Sequence, residues 1–216
     1  MTPALEELMR TSTVYLPTIP GFDGTALPKA PLTVTQLGKW IGEFIDLVIG
    51  TKVNLSGHSF GGWVASWVAV LRPDIVERLV LQCPIGFRPQ TPPKPDADPA
   101  TLLARTHAHP ERRRPETKSN DVFAGNRKLA ATYGNGVVTD SDLIARLGTI
   151  EARTLVLHGR EDGVVPLESA QFLRKEIPLS TLVVLDDAAH NIEVDQPDDY
   201  ARLVRNFLTV NQSESR

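Results

Sequence analysis

The sequence predicts a mostly parallel α/β sheet flanked by helices and interrupted by a small helical insertion. Short apolar runs alternate with segments whose apolar side chains recur at helical spacing. Several of the short runs are apolar at consecutive positions, as in strands that are covered on both faces. The 216 residues suit one domain with its own core and a small insertion.

The first half of the chain supplies two predicted strands and two predicted helices. Residues 13–19 are a short β-rich run that a Pro-Gly pair ends, and 33–48 carry an apolar stripe typical of a buried helix. Residues 52–56 form a short apolar run, and 61–71 predict a helix that stops before a proline.

The second half repeats the pattern after an interruption. Strands are expected at 78–82, 153–158 and 181–185, where the runs are almost entirely apolar, and helices at 167–177 and 197–210. Asp195 is a plausible cap for the last helix, because Pro197 stands near its first turn.

The interruption lies between the strands at 78–82 and 153–158. Residues 88–99 contain five prolines, which cannot supply ladder hydrogen bonds, so an extended connector is expected. Helices then follow at 100–107, 120–133 and 139–147. The predicted organisation is therefore a first core part at 1–83, a lid-like cap at 84–148 and a second core part at 149–216. Within the cap, the charged run Glu111-Arg112-Arg113-Arg114, whose basic part is 112–114, is either a solvated turn or a site for an acidic substrate or partner.

Composition excludes several function classes. Twenty-three basic against 26 acidic side chains give a net charge of −3, without the basic excess expected of a nucleic-acid or anionic-membrane binder. Cys83 is the single cysteine, so neither an internal disulfide nor a cysteine-based metal cluster is expected. No apolar stretch approaches the ~20 residues that span a bilayer, and the first ten residues do not resemble a secretory signal. We expect a cytoplasmic protein with no metal or cofactor and no nucleic-acid or membrane partner, and composition leaves its oligomeric state open.

The sharpest motif is Gly-His-Ser-Phe-Gly at 57–61, directly between a predicted strand and a predicted helix. By chance Gly-x-Ser-x-Gly occurs in roughly one chain of this length in fifteen. The position of the motif between a strand and a helix is therefore stronger evidence for a functional serine than the motif itself. A direct strand-to-helix turn holds Ser59 in a strained conformation with its hydroxyl exposed. The alternative is a serine in an ordinary glycine-rich turn. A phosphate-binding turn is disfavoured because its usual glycine and lysine patterns are absent.

A serine hydroxyl needs a base, and the base needs an acid that orients it. Asp162 and His190 each follow the end of a predicted strand, at the sheet edge where α/β proteins bind ligands. Glu161, Asp187 and Asp195 are rival acids, and Asp162 is preferred because it follows the penultimate strand. His58 is expected to pack beside the turn and Cys83 to be a buried small residue.

These residues resemble the α/β-hydrolase family over residues 14–208. The resemblance is carried by Pro-Gly-Phe-Asp-Gly at 20–24, by the serine motif at 56–62, by 158–166 and by His190. It implies that Ser59 is the nucleophile, His190 the general base and acid, and Asp162 its orienting partner. It also implies that the backbone N–H of Phe60 is an oxyanion donor. A serine at position 59 argues against the dehalogenase and epoxide-hydrolase branches.

The chain departs from the family at its beginning. The loop that usually gives the second oxyanion donor is not found, and residues 2–10 resemble the helix that normally follows it. We therefore expect an N-terminally truncated sheet that lacks the first three strands, so that the strand at 13–19 loses its neighbour and a slot opens beside 52–56.

The expected function is hydrolysis of a carboxylic ester or related small acyl substrate through a Ser59 acyl-enzyme, without a cofactor. One alternative is an acyltransferase or perhydrolase, in which a nucleophile other than water attacks the acyl-enzyme. The other is a non-catalytic, hydrolase-like binding protein, consistent with the missing oxyanion donor. The insertion offers an apolar pocket wall, formed by Leu102, Leu103, Phe123, Leu129 and Tyr133.

Overall fold

The computed structural model describes residues 2–30, 32–87, 98–115 and 118–209. Its strands are β1 Val53–His58, β2 Val76–Gln82, β3 Arg153–Gly159 and β4 Ser180–Leu185. Its α-helices are α1 Pro3–Met9, α2 Val34–Phe44, α3 Phe60–Leu71, α4 Pro99–Thr106, α5 Asn120–Tyr133, α6 Ser141–Ile144, α7 Leu167–Glu176, α8 Ile192–Asp195 and α9 Pro197–Thr209.

The four strands form one parallel sheet in the order β1-β2-β3-β4. Their registers place Leu55 beside Leu79, Val80 beside Leu155 and Leu157 beside Val183. The strands predicted at 52–56, 78–82, 153–158 and 181–185 are all present, with small shifts at their ends. The parallel α/β fold that the sequence predicts is therefore confirmed.

Apolar side chains cover both faces of the sheet. Alternate residues of β2 enter different layers: Leu79 and Leu81 join the core beneath α2, α3 and α7, whereas Val80 joins the core beneath α1, α8 and α9. This two-sided burial is the reason why the strand sequences are apolar at consecutive positions.

The local sequence of helix α2 determines where the helix begins and which face it buries. Thr33 and Gln36 form a capping box at its beginning, which satisfies backbone N–H groups that the first turn leaves free. Leu37 and Ile41 are buried, and Gly38 faces α3 so closely that an added Cβ would lie 2.8 Å from the Cβ of Trp67. The helix ends in a π-helical turn, Ile45–Ile49, so the predicted helix at 33–48 is correct in position.

The predicted strand at 13–19 is wrong. These residues are irregular, and in the sheet of the described residues β1 is an edge strand without them. Tyr15 and Leu16 are 46% and 59% exposed, and Tyr15 meets the ring edge of Phe44 instead of a strand. Pro17 has no N–H to donate to a ladder, which weakens any pairing of this segment.

The insertion between β2 and β3 is helical where the structure describes it. Helices α4 and α5 match the predictions at 100–107 and 120–133, whereas the helix predicted at 139–147 is too long. After α6 the chain forms a 3₁₀ turn, Leu147–Thr149, and both Leu143 and Leu147 are buried in the core. Most of the predicted proline-rich connector, residues 88–97, lies outside the described residues. None of the described helices is both long and apolar enough to cross a membrane.

Candidate active site

Ser59 occupies the turn between β1 and α3 with φ 53° and ψ −116°. A positive φ is strained for a residue with a Cβ, and such strain concentrates at functional sites. The N–H of Ser59 donates to the carbonyl of Gln82 over 2.9 Å, and its own carbonyl accepts from Gly62 over 3.0 Å. These bonds fix the backbone of the serine between the sheet and the helix.

The glycines around Ser59 have different roles. A Cβ added to Gly57 would lie 2.3 Å from the carbonyl oxygen of Gly61, and one added to Gly62 would lie 2.7 Å from the Cβ of Pro84. A Cβ added to Gly61 would meet nothing within 4 Å. The tight turn therefore requires glycine at 57 and 62 on steric grounds, but not at 61, where the motif also has glycine.

Asp162 and His190 meet at the carboxyl edge of the sheet. The Nδ1 atom of His190 lies 2.8 Å from Oδ2 of Asp162, and the two side chains are 7% and 0% exposed. The other oxygen, Oδ1, accepts from the N–H groups of Val164 over 2.7 Å and Val165 over 2.9 Å. Because Asp162 follows β3 and His190 follows β4, the parallel sheet brings them together as the sequence predicts.

The surroundings of Asp162 favour its ionised form. Burial disfavours the charge, but the hydrogen bond and charge of His190 and the N–H groups of Val165 and Val164 outweigh it. They hold the pKa of the Asp162 carboxyl below its ordinary value. A carboxylate at Nδ1 keeps the proton of the imidazole on that nitrogen and leaves Nε2 free to accept another.

Two of the rival acids lie elsewhere. Asp187 contacts Nε2 of His109 over 2.7 Å, outside the Asp162–His190 pair. Asp195 does not cap α9, as its position in the sequence suggests, but accepts hydrogen bonds from three backbone N–H groups in other segments. The carboxylate that contacts the imidazole of His190 is that of Asp162.

His58, which is half-buried, and Cys83, which is buried, both lie beside the pair. The Nε2 atom of His58 donates to the carbonyl oxygen of His190 over 3.0 Å, and the centroids of the two imidazole rings lie 4.7 Å apart. Burial lowers the pKa of His58, which favours the neutral ring that this hydrogen bond uses. Cys83 is buried as predicted and adopts a positive φ of 42°. Its Sγ, a carboxylate oxygen of Asp162 and a ring nitrogen of His190 lie within 4.8 Å of one another.

Phe60 begins α3, and its N–H has no acceptor among the described residues. The free N–H groups of a helix beginning attract negative charge. The ring of Phe60 stacks on Phe22 at 5.7 Å, and Phe22 stacks on Tyr133 at 6.4 Å. The Tyr133 hydroxyl donates to the carbonyl of Pro20 over 2.7 Å, which joins the loop at 20–24 to α5.

Only some of the residues predicted to form the pocket wall lie beside the aromatic stack and the turn at Ser59. Leu129 and Tyr133 lie next to Gly21, at 3.2 Å and 3.4 Å from the position that a Cβ would take there. Phe123, one of the predicted wall residues, is among the exposed large apolar side chains. The apolar wall beside the turn at Ser59 is therefore made mainly of Phe22, Phe60 and the last turns of α5.

The basic run 112–114 attaches the insertion to the core. Arg112 donates to the backbone carbonyl of Asp195, and Arg114 makes a bidentate contact with the Glu6 carboxylate at 2.6 Å and 2.8 Å. These contacts give two of the three arginines a structural role that neither sequence hypothesis includes.

A second attachment uses Asp140, which precedes α6. Its Oδ2 accepts from the indole N–H groups of Trp63 over 2.7 Å and Trp67 over 2.8 Å, and its Oδ1 accepts from Leu143 over 3.0 Å. Both tryptophans belong to α3, so this carboxylate ties the insertion to the helix that follows Ser59.

Comparison with known proteins identifies the family. A family model described as the alpha/beta hydrolase family matches residues 2–203. The chain is 30% identical over 199 residues to the 2-hydroxymuconate semialdehyde hydrolase of Pseudomonas putida, covering 79% of this chain and 68% of that protein. It is 25% identical to the pimeloyl-[acyl-carrier protein] methyl ester esterase of Aeromonas salmonicida, covering 90% of this chain and 84% of that protein.

Solved structures show the same fold. The meta-cleavage product hydrolase of Pseudomonas fluorescens IP01 aligns with a TM-score of 0.77 at 21% identity, covering 95% of this chain and 83% of that one. The 2-hydroxy-6-oxo-6-phenylhexa-2,4-dienoate hydrolase of Rhodococcus sp. strain RHA1 aligns with a TM-score of 0.73 at 21% identity, over 96% of this chain and 84% of that one. These relatives are hydrolases, and this chain belongs to the alpha/beta hydrolase family.

Proposed function

We propose that the protein is a serine hydrolase that cleaves a carboxylic ester or related small acyl substrate through an acyl-enzyme on Ser59. The observation that carries the proposal is the buried 2.8 Å contact between His190 and Asp162, on the sheet edge that also holds Ser59. A nucleophile on a strained turn, a histidine and a carboxylate that orients it are the parts that acyl transfer needs.

The mechanism gives each of these groups a defined role. Nε2 of His190 takes the hydroxyl proton of Ser59 as Oγ attacks the acyl carbon, and Asp162 stabilises the imidazolium that forms. The N–H of Phe60 stabilises the oxyanion of the tetrahedral intermediate. His190 then gives its proton to the leaving alcohol, and water, activated by the same imidazole, releases the acid and restores Ser59.

The insertion is proposed to act as a lid over this site, in the chain organisation predicted from the sequence. Tyr133 of the insertion stacks on Phe22, which stacks on Phe60 beside Ser59, and these rings support an apolar acyl-binding surface. A site with such a wall favours substrates that have an apolar acyl or alcohol part.

A second candidate comes from the names of the relatives. Several of them are named as hydrolases of 2-hydroxy-6-oxo-dienoates, among them the 2-hydroxy-6-oxo-2,4-heptadienoate hydrolase of Pseudomonas putida, which is 27% identical over 229 residues. The same serine, histidine and aspartate could serve cleavage of a carbon–carbon bond next to a ketone in this chain.

A direct assay separates the candidates. Purified protein is given 4-nitrophenyl esters of two to eight acyl carbons and, separately, 2-hydroxy-6-oxohexa-2,4-dienoates, and Ser59→Ala is the control. We expect ester hydrolysis that Ser59→Ala abolishes while its melting temperature stays close to that of the parent. Turnover of the dienoates alone would favour the second candidate. A folded parent that binds these compounds without turning them over would contradict both and favour a binding protein.

A further inference from the structure

The carboxylate of Asp195 is fully buried and joins three segments of the chain. Its Oδ2 accepts from the N–H groups of Ala108 over 3.0 Å and Ala189 over 2.8 Å, and its Oδ1 accepts from His109 over 2.9 Å. Ala108 and His109 belong to the insertion, whereas Ala189 directly precedes His190. Hydrogen bonds to an ionised acceptor are among the strongest that proteins make.

The segment that contacts Asp195 also contacts both loops of the Asp162–His190 pair. We call residues 105–112 the strap. The carbonyl of Thr106 accepts from the N–H of Asn191 over 2.9 Å, and the carbonyl of Arg105 accepts from Gly163 over 2.9 Å. Gly163 follows Asp162, and Asn191 follows His190, so the strap is bonded to the residue next to each partner.

Close packing reinforces these bonds. A Cβ added to Gly163 would lie 2.8 Å from the Cα of Arg105, so the strap lies directly on the loop of Asp162. The amide of Asn191 contacts Nε2 of His107 over 2.9 Å, and Arg112 donates to the backbone carbonyl of Asp195. The strap and the two loops therefore form one hydrogen-bonded unit with Asp195 at its centre.

We propose that Asp195 is a positioning residue, which fixes the loop of His190 against the strap so that the imidazole keeps its working position. This inference rests on the proposed function, because it assumes that His190 is the base. Asp195 does not touch the reacting atoms and acts through the N–H of Ala189. A shift of the base by about 1 Å can lower turnover about 100-fold without a change in the reacting groups.

The test compares two isosteric substitutions. Asp195→Asn keeps one acceptor oxygen but replaces the other with an NH₂ group, so at least one of the three backbone N–H groups loses its acceptor. Asp140→Asn is the matched control, because Asp140 also accepts three N–H groups, two on one oxygen and one on the other, but none of them lies on the loop of His190.

We expect Asp195→Asn to lower kcat about 10- to 100-fold with KM changed less than twofold, and Asp140→Asn to leave kcat within twofold of the parent. The Nδ1 proton of His190 gives a downfield proton resonance that should broaden in Asp195→Asn and stay sharp in Asp140→Asn. Equal kcat values for the parent and a folded Asp195→Asn, or an equal loss in both variants, would overturn the proposal.

A measurement on the unsubstituted protein remains decisive if Asp195→Asn does not fold or if no substrate is found. Under native conditions, the amides of Ala108, His109 and Ala189 should exchange their hydrogens with one common protection factor, because one carboxylate holds all three. Protection of Ala189 that is independent of the other two would overturn the positioning role. An inactive protein with common protection would count against the proposed function alone.

Discussion

At the scale of single residues, the turn around Ser59 depends on one close contact between backbones. Gly57 and Gly61 both belong to the motif, but only at Gly57 would a Cβ collide with the backbone of the first turn of α3, 2.3 Å from the carbonyl oxygen of Gly61. Backbone atoms cannot move aside as the end of a flexible side chain can. The motif therefore contains one glycine required by space and one that the surrounding atoms do not require.

This difference predicts that two single substitutions change the free energy of unfolding by very different amounts. Gly57→Ala should lower the free energy of unfolding by about 3 kcal/mol or more and abolish hydrolysis, because the turn must open to accept the methyl group. Gly61→Ala should change it by less than about 1 kcal/mol, since alanine is favoured over glycine within a helix. Urea denaturation of both variants measures the two values. Similar losses in both would show that the contact at Gly57 is not what limits the turn.

Residue patterns place the candidate site residues better than they place the contacts that hold these residues. Ser59, Asp162 and His190 could be placed because each follows a strand and because their chemistry limits the residue types. His58 and Asp195 contact a backbone carbonyl and backbone N–H groups, which any residue supplies. Such contacts leave no pattern of side-chain types in the sequence, so the structure was needed to find them.

At the scale of elements, an ionisable contact joins the strap to the loop before His190. The imidazole of His109 lies 2.7 Å from Asp187 and 3.0 Å from Glu111. The hydrogen bond to Asp187 and then that to Glu111 raise the pKa of His109, against the nearby charge of Arg112. A raised pKa in the folded protein means that folding favours the protonated imidazole.

The sign of the pH effect follows from this direction. The contribution of His109 to stability is complete below the ordinary histidine pKa of about 6.5 and is lost as the pH rises through the raised value. We expect His109→Gln to lower the melting temperature at pH 5.5 and to match the parent at pH 9. Asp187→Asn, which tolerates the φ of 56° at this position, should reproduce the effect. A difference between His109→Gln and the parent that is constant from pH 5.5 to 9 would contradict an ionic contact.

Strands were predicted well where both of their faces are buried, because such burial requires apolar residues. The prediction failed where a segment becomes a strand only if a neighbouring strand pairs with it. The strands at 78–82 and 153–158 each have three consecutive apolar residues at their centre, because both of their faces are covered. The segment at 13–19 has β-favouring residues, but local preference does not say whether a neighbouring strand exists. The helix predicted at 139–147 is too long because the side chain of Asp140 caps α6 through the N–H of Leu143, so that the helix begins at Ser141.

At the scale of the whole molecule, two carboxylates attach the insertion to the core at separate places. Asp140 binds the insertion to the helix that follows Ser59, and Asp195 binds it to the loop of His190. Ser59 and His190 come from distant parts of the chain, and the insertion contacts both the helix that follows Ser59 and the loop that carries His190.

The central claim is that Ser59 forms a covalent intermediate with the help of His190. The most direct measurement is reaction of the purified protein with a fluorophosphonate, followed by digestion and mass spectrometry, with His190→Gln and heat-unfolded protein as controls. We predict one phosphonyl group on Ser59 of the folded parent, labelling slowed at least 100-fold in His190→Gln, and none after unfolding. A folded parent that stays unlabelled, or that carries the label on another residue, would contradict the account.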